Sequence, residues 1–208
     1  LAETLQKEGK EYLAGVSFGA TTPSYDLEKA IDQEYPVEGV TEESVREVLP
    51  RFLGEQEQIA PLFSAKSVDG VRAYELERKQ YREAHKEKTD VMTDFDHTVA
   101  ETLNKQIINI SGMELISFFP NGKESGPELS DEGLRPNPRI NVVDTSALHL
   151  PLAMIRIKCS KGTYIRALAR DLGEALGSGA HLNSLERTKS GGFTVGNCLS
   201  VNEVISVL

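Results

Sequence analysis

The sequence predicts an α/β fold in which strands and helices alternate along one chain. Within residues 155–188, Ile155, Ile157 and Cys159 alternate with Arg156 and Lys158, and Ile165, Leu168, Leu172 and Leu176 then recur at helical spacing. The hydrophobic period therefore switches from two to about 3.6 around Lys161 and Gly162. Gly177 and Gly179 suit the end of that helix, where a residue without a side chain takes the left-handed conformation. At 208 residues with 39% hydrophobic content, the chain can bury the core of one domain or a domain and a half.

The elements follow in order. Lys10 to Phe18 reads as a strand, and Gly19-Ala20-Thr21-Thr22-Pro23-Ser24 as a loop, because proline and small polar residues interrupt any period. Thr41 can cap a helix with Glu42 and Glu43 in its first turn and Val45, Val48, Leu49 and Phe52 as its apolar stripe; Gly54 ends it. A second helix is expected from Gly70 through Leu76 into the charged stretch KQYREAHKEKTD, which lacks an apolar face. Gln106 to Phe119 reads as a long strand and Pro120 to Pro138 as a loop rich in Gly, Pro and Asn. Strands are expected at Arg139 to Val143, at Ala153 to Cys159 and near Gly192 to Val195, with the arginine-bearing helix after the second. Ser200 and Glu203 have capping-box spacing for a last helix through Ile205 and Leu208. There is no internal repeat.

Charge is unevenly placed. The chain has 23 Lys and Arg against 32 Asp and Glu, a net charge of −9. Residues 151–190 carry +4, from seven Lys/Arg and three Asp/Glu, which leaves −13 for the rest. One basic segment on an acidic protein focuses an anionic partner there, or else forms a salt-bridged, solvated helix face. No apolar run approaches the ~20 residues that cross a bilayer, and the charged stretch from Leu1 is unlike a signal peptide. Cys159 and Cys198 fit neither a CxxC motif nor a disulfide framework. A soluble, cytoplasmic protein with reduced thiols is expected.

The common catalytic signatures are missing. His85, His97, His149 and His181 have no HExxH spacing and no cysteine cluster joins them, which argues against a zinc site. Gly177-Ser178-Gly179-Ala180-His181-Leu182 has leucine where a dinucleotide loop needs its third glycine, and it follows a helix rather than a strand. Neither GxxxxGK[ST] nor GxSxG occurs.

An ordered set of segments carries a family resemblance. Lys10-Glu11-Tyr12 leads through Leu13-Ala14-Gly15-Val16-Ser17-Phe18-Gly19-Ala20-Thr21-Thr22 to Asp26; then come Phe52-Leu53-Gly54, Phe63-Ser64-Ala65 and Gly70-Val71-Arg72-Ala73-Tyr74-Glu75-Leu76. Cys159-Ser160-Lys161-Gly162-Thr163-Tyr164-Ile165-Arg166 and Gly179-Ala180-His181-Leu182 complete it. In order and spacing the set resembles the TruB-type tRNA pseudouridine synthases over most of the chain, apart from residues 81–105 and 123–137.

The resemblance implies a pseudouridine-synthase-like fold, a mixed, largely antiparallel sheet flanked by helices, in a single catalytic domain with no complete accessory RNA-binding domain after Gly192. It implies a monomeric pseudouridine-55 synthase that isomerises a T-arm uridine of tRNA without metal or organic cofactor. In the family an aspartate attacks the target nucleotide, the glycosidic bond breaks, and the turned uracil is rejoined through carbon. By resemblance, Tyr12 packs against the flipped base and helps remove the proton from the new attachment carbon. Arg166 pairs with the catalytic aspartate, Asp26 is an acidic partner in the arginine network, and Leu185 walls the uracil pocket. These roles make physical sense: an aromatic face returns part of the unstacking cost, and a guanidinium keeps a carboxylate ionised and aimed. Each residue also has a plainer reading: Tyr12 as a half-buried strand tyrosine, Asp26 as an Asx turn former, Arg166 as a surface phosphate contact, Leu185 as core. Lys158, Lys161, Arg170, Arg187 and Lys189 are the expected phosphate contacts.

Two departures stand out. The family's nucleophile lies in a Gly-Thr-Leu-Asp-Pro-like segment upstream of the Lys-x-Tyr strand, and this chain has no Leu-Asp dipeptide. Residues 1–10 resemble the stretch that follows that segment, so an N-terminally truncated, catalytically silent polypeptide is expected. The alternative is a non-catalytic tRNA-binding or RNA-folding protein on the same scaffold, or a structural module whose basic segment balances acidic neighbours. The family's lysine near Phe63-Ser64-Ala65 stands at the place of Ser67, whereas here it is Lys66, which points the other way along an extended chain.

Overall fold

The computed structural model describes residues 9–61, 67–68, 71–72, 105–122 and 142–207. Its frame is a sheet of six strands in the order β10-β9-β1-β8-β7-β4. These are β1 (Lys10–Phe18), β4 (Gly54–Gln58), β7 (Gln106–Phe119), β8 (Leu152–Cys159), β9 (Ala180–Ser190) and β10 (Phe193–Thr194). Every ladder between them is antiparallel, and an isolated parallel bridge joins Asp26 to Leu182. Two short antiparallel pairs also occur among the described residues: β2 (Ala20–Thr21) with β3 (Gln33–Glu34), and β5 (Ser67–Val68) with β6 (Val71–Arg72).

Alternation puts Ala14, Val16 and Phe18 of β1 and Ala153, Ile155, Ile157 and Cys159 of β8 on one face of the sheet, where all are buried. Two helices cover that face, α1 (Glu42–Val48) and α2 (Ile165–Leu176). Val45 and Val48 of α1 and Ile165, Leu168, Ala169 and Leu172 of α2 join the strand residues in one cluster. Fully burying such a side chain stabilises by about 1.5–3 kcal/mol. Thr41 caps α1 as expected, in a reciprocal box with Ser44: each side chain accepts from the other's N–H, at 3.1 and 2.9 Å. Gly177 ends α2 at φ +66°. The last helix, α3 (Val201–Val207), has the Ser200–Glu203 box, in which Glu203 accepts from Ser200 N at 2.6 Å.

Several expectations are corrected. The first helix stops at Val48, and Pro50 sits at the start of a 3₁₀ turn over Leu49–Phe52. Gly54 then opens strand β4 rather than closing a helix. Val71 and Arg72 pair as a strand with Val68 and Ser67, so no helix starts at Gly70; residues 73–104 lie outside the described residues, as do Lys66 and 123–141. Val142 and Val143 are not in a strand, although Val143 N–H donates to Leu27 O at 2.9 Å. The expected strand at Gly192 to Val195 shrinks to two residues, and the long pairing is made by β9 just before it. Cys159 is buried and Cys198 exposed, both free. No helix among the described residues is long and apolar enough to cross a membrane.

Candidate active site

The site forms where α2 begins and the loop after β2 returns to β9. Thr22 and Ser24 are buried in that loop, and Tyr25 adopts φ +56°, a left-handed conformation that costs a non-glycine residue of order 1 kcal/mol or more. A hydrogen bond from Leu182 N–H to Tyr25 O at 2.9 Å ties the loop to β9. Asp26 then uses its two oxygens differently. Oδ1 accepts from Ser24 Oγ at 2.6 Å and from Glu28 N at 3.0 Å, an Asx turn, while Oδ2 accepts from Arg166 Nη1 at 3.0 Å. The same Nη1 donates to Ser24 O at 3.3 Å. The turn-forming and arginine-pairing readings of Asp26 thus both hold. Hydrogen bonds to charged groups contribute about 1.5–3 kcal/mol when sheltered; with side chains 23% and 24% exposed, this pair belongs at the low end.

Tyr12 lies directly opposite Ile157 on one side and Arg187 on the other, and Leu185 lies opposite Ala14. Directly opposed residues share a face, so Tyr12, Leu185 and Arg187 are all on the side of the sheet that carries α2. The helix does not cover this end: Leu185 is 47% exposed and Arg187 is exposed. Leu185 is therefore not core. Partial burial pushes the Tyr12 hydroxyl above its usual pKa, Cys159 adds to the rise, and the Arg187 guanidinium opposes it. The phenol stays protonated at neutral pH.

The expected cluster of phosphate-binding cations divides. Arg170 is not available to it: its side chain, 15% exposed, bonds Asp171 at 2.7 Å and Ile59 O at 3.3 Å and stacks 5.5 Å from the Tyr25 ring centroid. Buried cations are held by such partners. Lys158 and Lys189 stand opposite Glu11 on the face away from Tyr12, with Lys158 Nζ 3.8 Å from its carboxylate. Lys161 is exposed at the turn before α2, and Arg187 is exposed on the Tyr12 side.

Two residues to which the sequence assigned no role shape the same region. His181 is fully buried, its Nδ1 2.9 Å from Ala20 O, and Nε2 has no partner among the described residues. Burial lowers its pKa, against the pull of the Ala20 carbonyl and of Asp26 and Asp32. Gln58, 2% exposed at the end of β4, accepts from Tyr164 N at 2.9 Å through Oε1 and donates to Tyr164 O at 3.1 Å through Nε2. A hollow of about 370 Å³ lined by Ser17, Leu152, Asp144, His149 and Asn183 lies on the opposite face and touches none of Tyr12, Asp26 or Arg166.

Comparison with known proteins places the chain. Residues 1–116 match the family model described as TruB family pseudouridylate synthase, N-terminal domain, and residues 166–208 match the tRNA pseudouridylate synthase B C-terminal domain. The chain is 42% identical over 97% of its length to tRNA pseudouridine synthase B of Parabacteroides distasonis, and 42% over 96% to that of Phocaeicola vulgatus. It spans 66% and 64% of those two proteins. The counterpart in Deinococcus radiodurans is 34% identical over 98% of the chain. A crystal structure of a Cbf5-Nop10-Gar1 complex has the same fold, with a TM-score of 0.53 at 18% identity, covering 98% of this chain and 37% of that one. The chain belongs to the TruB family of pseudouridylate synthases.

Proposed function

We propose that these residues form the base-binding part of a tRNA pseudouridine-55 synthase, which turns a T-arm uridine into pseudouridine. The observation that carries the reading is the Arg166–Asp26 pair at the start of α2, with Tyr12 and Leu185 on the sheet face that carries α2. The relatives' name, tRNA pseudouridine synthase B, supports the substrate. Tyr12 stacks on the everted uracil, and Leu185 walls the pocket beside it. Being protonated, the Tyr12 hydroxyl meets the pyrimidine as a donor, and it relays the proton from the attachment carbon only after passing its own proton on. Arg166 has five N–H donors; it aligns a nucleophilic carboxylate while Asp26 fixes its own direction. Lys161 and Arg187 contact phosphate. In this reading residues 1–208 belong to the catalytic domain of a cytoplasmic monomer that uses no metal or organic cofactor.

The test is binding of a T-arm stem-loop RNA to the 208-residue chain. A stem-loop with the target uridine is expected to bind about tenfold tighter than one abasic at that position, which is a loss of about 1.4 kcal/mol. Arg166→Lys, which keeps the charge and loses the planar fork, is expected to remove most of that preference. Equal affinity of the wild-type chain for both RNAs would refute the reading.

A further inference from the structure

Helix α2 starts without a cap of its own. Tyr164 occupies the N-cap position and makes no side-chain hydrogen bond to the helix, so the first N–H groups lack the usual acceptor. Its backbone is instead gripped from a strand 106 residues earlier. The Gln58 side-chain amide spends its acceptor on Tyr164 N–H and a donor on Tyr164 O. That carbonyl also accepts from Leu168 N at 3.1 Å, the first bond of the helix. One residue further, Ile59 O accepts from Arg170 Nη2 at 3.3 Å. The 58–59 segment therefore holds α2 at two points, one on each side of Arg166.

We infer that Gln58 is a positioning residue for Arg166: its amide fixes the N-cap peptide of α2 and thereby the direction in which the guanidinium meets Asp26. The inference rests on the proposed function for its consequence in RNA binding, although the grip itself does not. No apolar or ionised side chain replaces both bonds. Methionine fills the space and makes neither. An ionised glutamate keeps the bond from Tyr164 N–H and opposes the Tyr164 carbonyl, whereas a protonated carboxyl again has one donor and one acceptor. Gln58→Glu should therefore behave as a pH-dependent loss and recovery of one hydrogen bond.

The experiment uses NMR on the 208-residue chain and the two stem-loop RNAs. In Gln58→Met, exchange of the Tyr164 amide is expected to speed up about tenfold or more, and the Arg166 side-chain N–H signals are expected to broaden or shift. The preference for the uridine stem-loop over the abasic one should fall while binding to the abasic one holds. In Gln58→Glu the same changes should appear at neutral pH and reverse on acidification, with no such reversal in wild type. Unchanged Tyr164 exchange and Arg166 signals in both variants would overturn the inference. If the wild-type chain shows no uridine preference, the functional reading fails and the NMR comparison still decides the role of Gln58. A fall in unfolding midpoint with unmoved Arg166 signals would mean that Gln58 only stabilises, and would also overturn it.

Discussion

His181 shows how a single buried side chain couples the loop to pH. With its Nδ1 on Ala20 O and its Nε2 unpartnered among the described residues, the ring is neutral in the folded protein, and burial holds its pKa below the usual histidine value. In the unfolded chain the same ring takes a proton near its ordinary pKa of about 6.5. Stability from this group is thus complete above that value and is lost as pH falls toward the folded pKa, because the unfolded state binds the proton first. Urea midpoints measured from pH 8 to pH 5 should fall more steeply for wild type than for His181→Asn, whose amide N–H can still reach Ala20 O. Parallel curves would show that the buried imidazole contributes no linkage. His181 carried no mark in the sequence beyond its place in Gly179-Ala180-His181-Leu182, because its polar partner, Ala20 O, lies 161 residues away in the chain. Asp26 was legible both as a motif position and as an Asx turn former, and Arg166 as a motif position; the hydrogen bond that Asp26 accepts from Ser24 Oγ was not.

At the scale of elements, α2 and β9 meet more closely than a side chain permits. A Cβ on Gly173 would collide with Ala180 N and the Gly179 carbonyl carbon. Replacing a mid-helix glycine by alanine ordinarily stabilises by about 1 kcal/mol; here the overpacking cost of about 1–3 kcal/mol works against it. Gly173→Ala is expected to lower stability, by up to about 2 kcal/mol in urea denaturation, and a stabilised variant would mean that the helix can shift away. Elements with a clean period, β1, β8, α1 and α2, were readable. Strand β4, Gly-Glu-Gln-Glu-Gln, was not, since it is the edge of the sheet and its polar residues suit an unpaired rim better than a core. Strand β9 escaped for a different reason. Register shifts opposite Glu11/Tyr12 and Gly15/Val16 insert an extra residue twice, which breaks the alternation that marks a strand.

For the molecule as a whole, the two faces of the sheet differ in charge. On the side away from α2, Lys158 and Lys189 flank Glu11, and Arg156 bonds Glu114 at 2.8 Å. That face is close to neutral by internal pairing. Arg187, on the Tyr12 side, has no such counterpart directly opposite it in the ladder. Removing one phosphate contact lowers the slope of log affinity against log salt by about 0.7–0.9. Arg187→Gln is expected to do so for stem-loop RNA, and Lys189→Gln to leave the slope unchanged. Equal slopes for Arg187→Gln and wild type would remove Arg187 from the interface. Composition showed the +4 segment but could not show that alternation along β8 and β9 sends its charges to opposite sides.

The central place of β1 has a consequence for how the protein is made. Its ladder partners lie about 135–150 residues later on β8 and later still on β9. At about 5–20 residues per second, a nascent chain emerging from the ribosome carries β1 for roughly 7–30 seconds before either neighbour exists. During that interval Ala14, Val16 and Phe18 lack both strand neighbours and α2, so a chaperone that shelters this strand should raise the yield, and a version of the gene rearranged to translate β8 and β9 first should need it less.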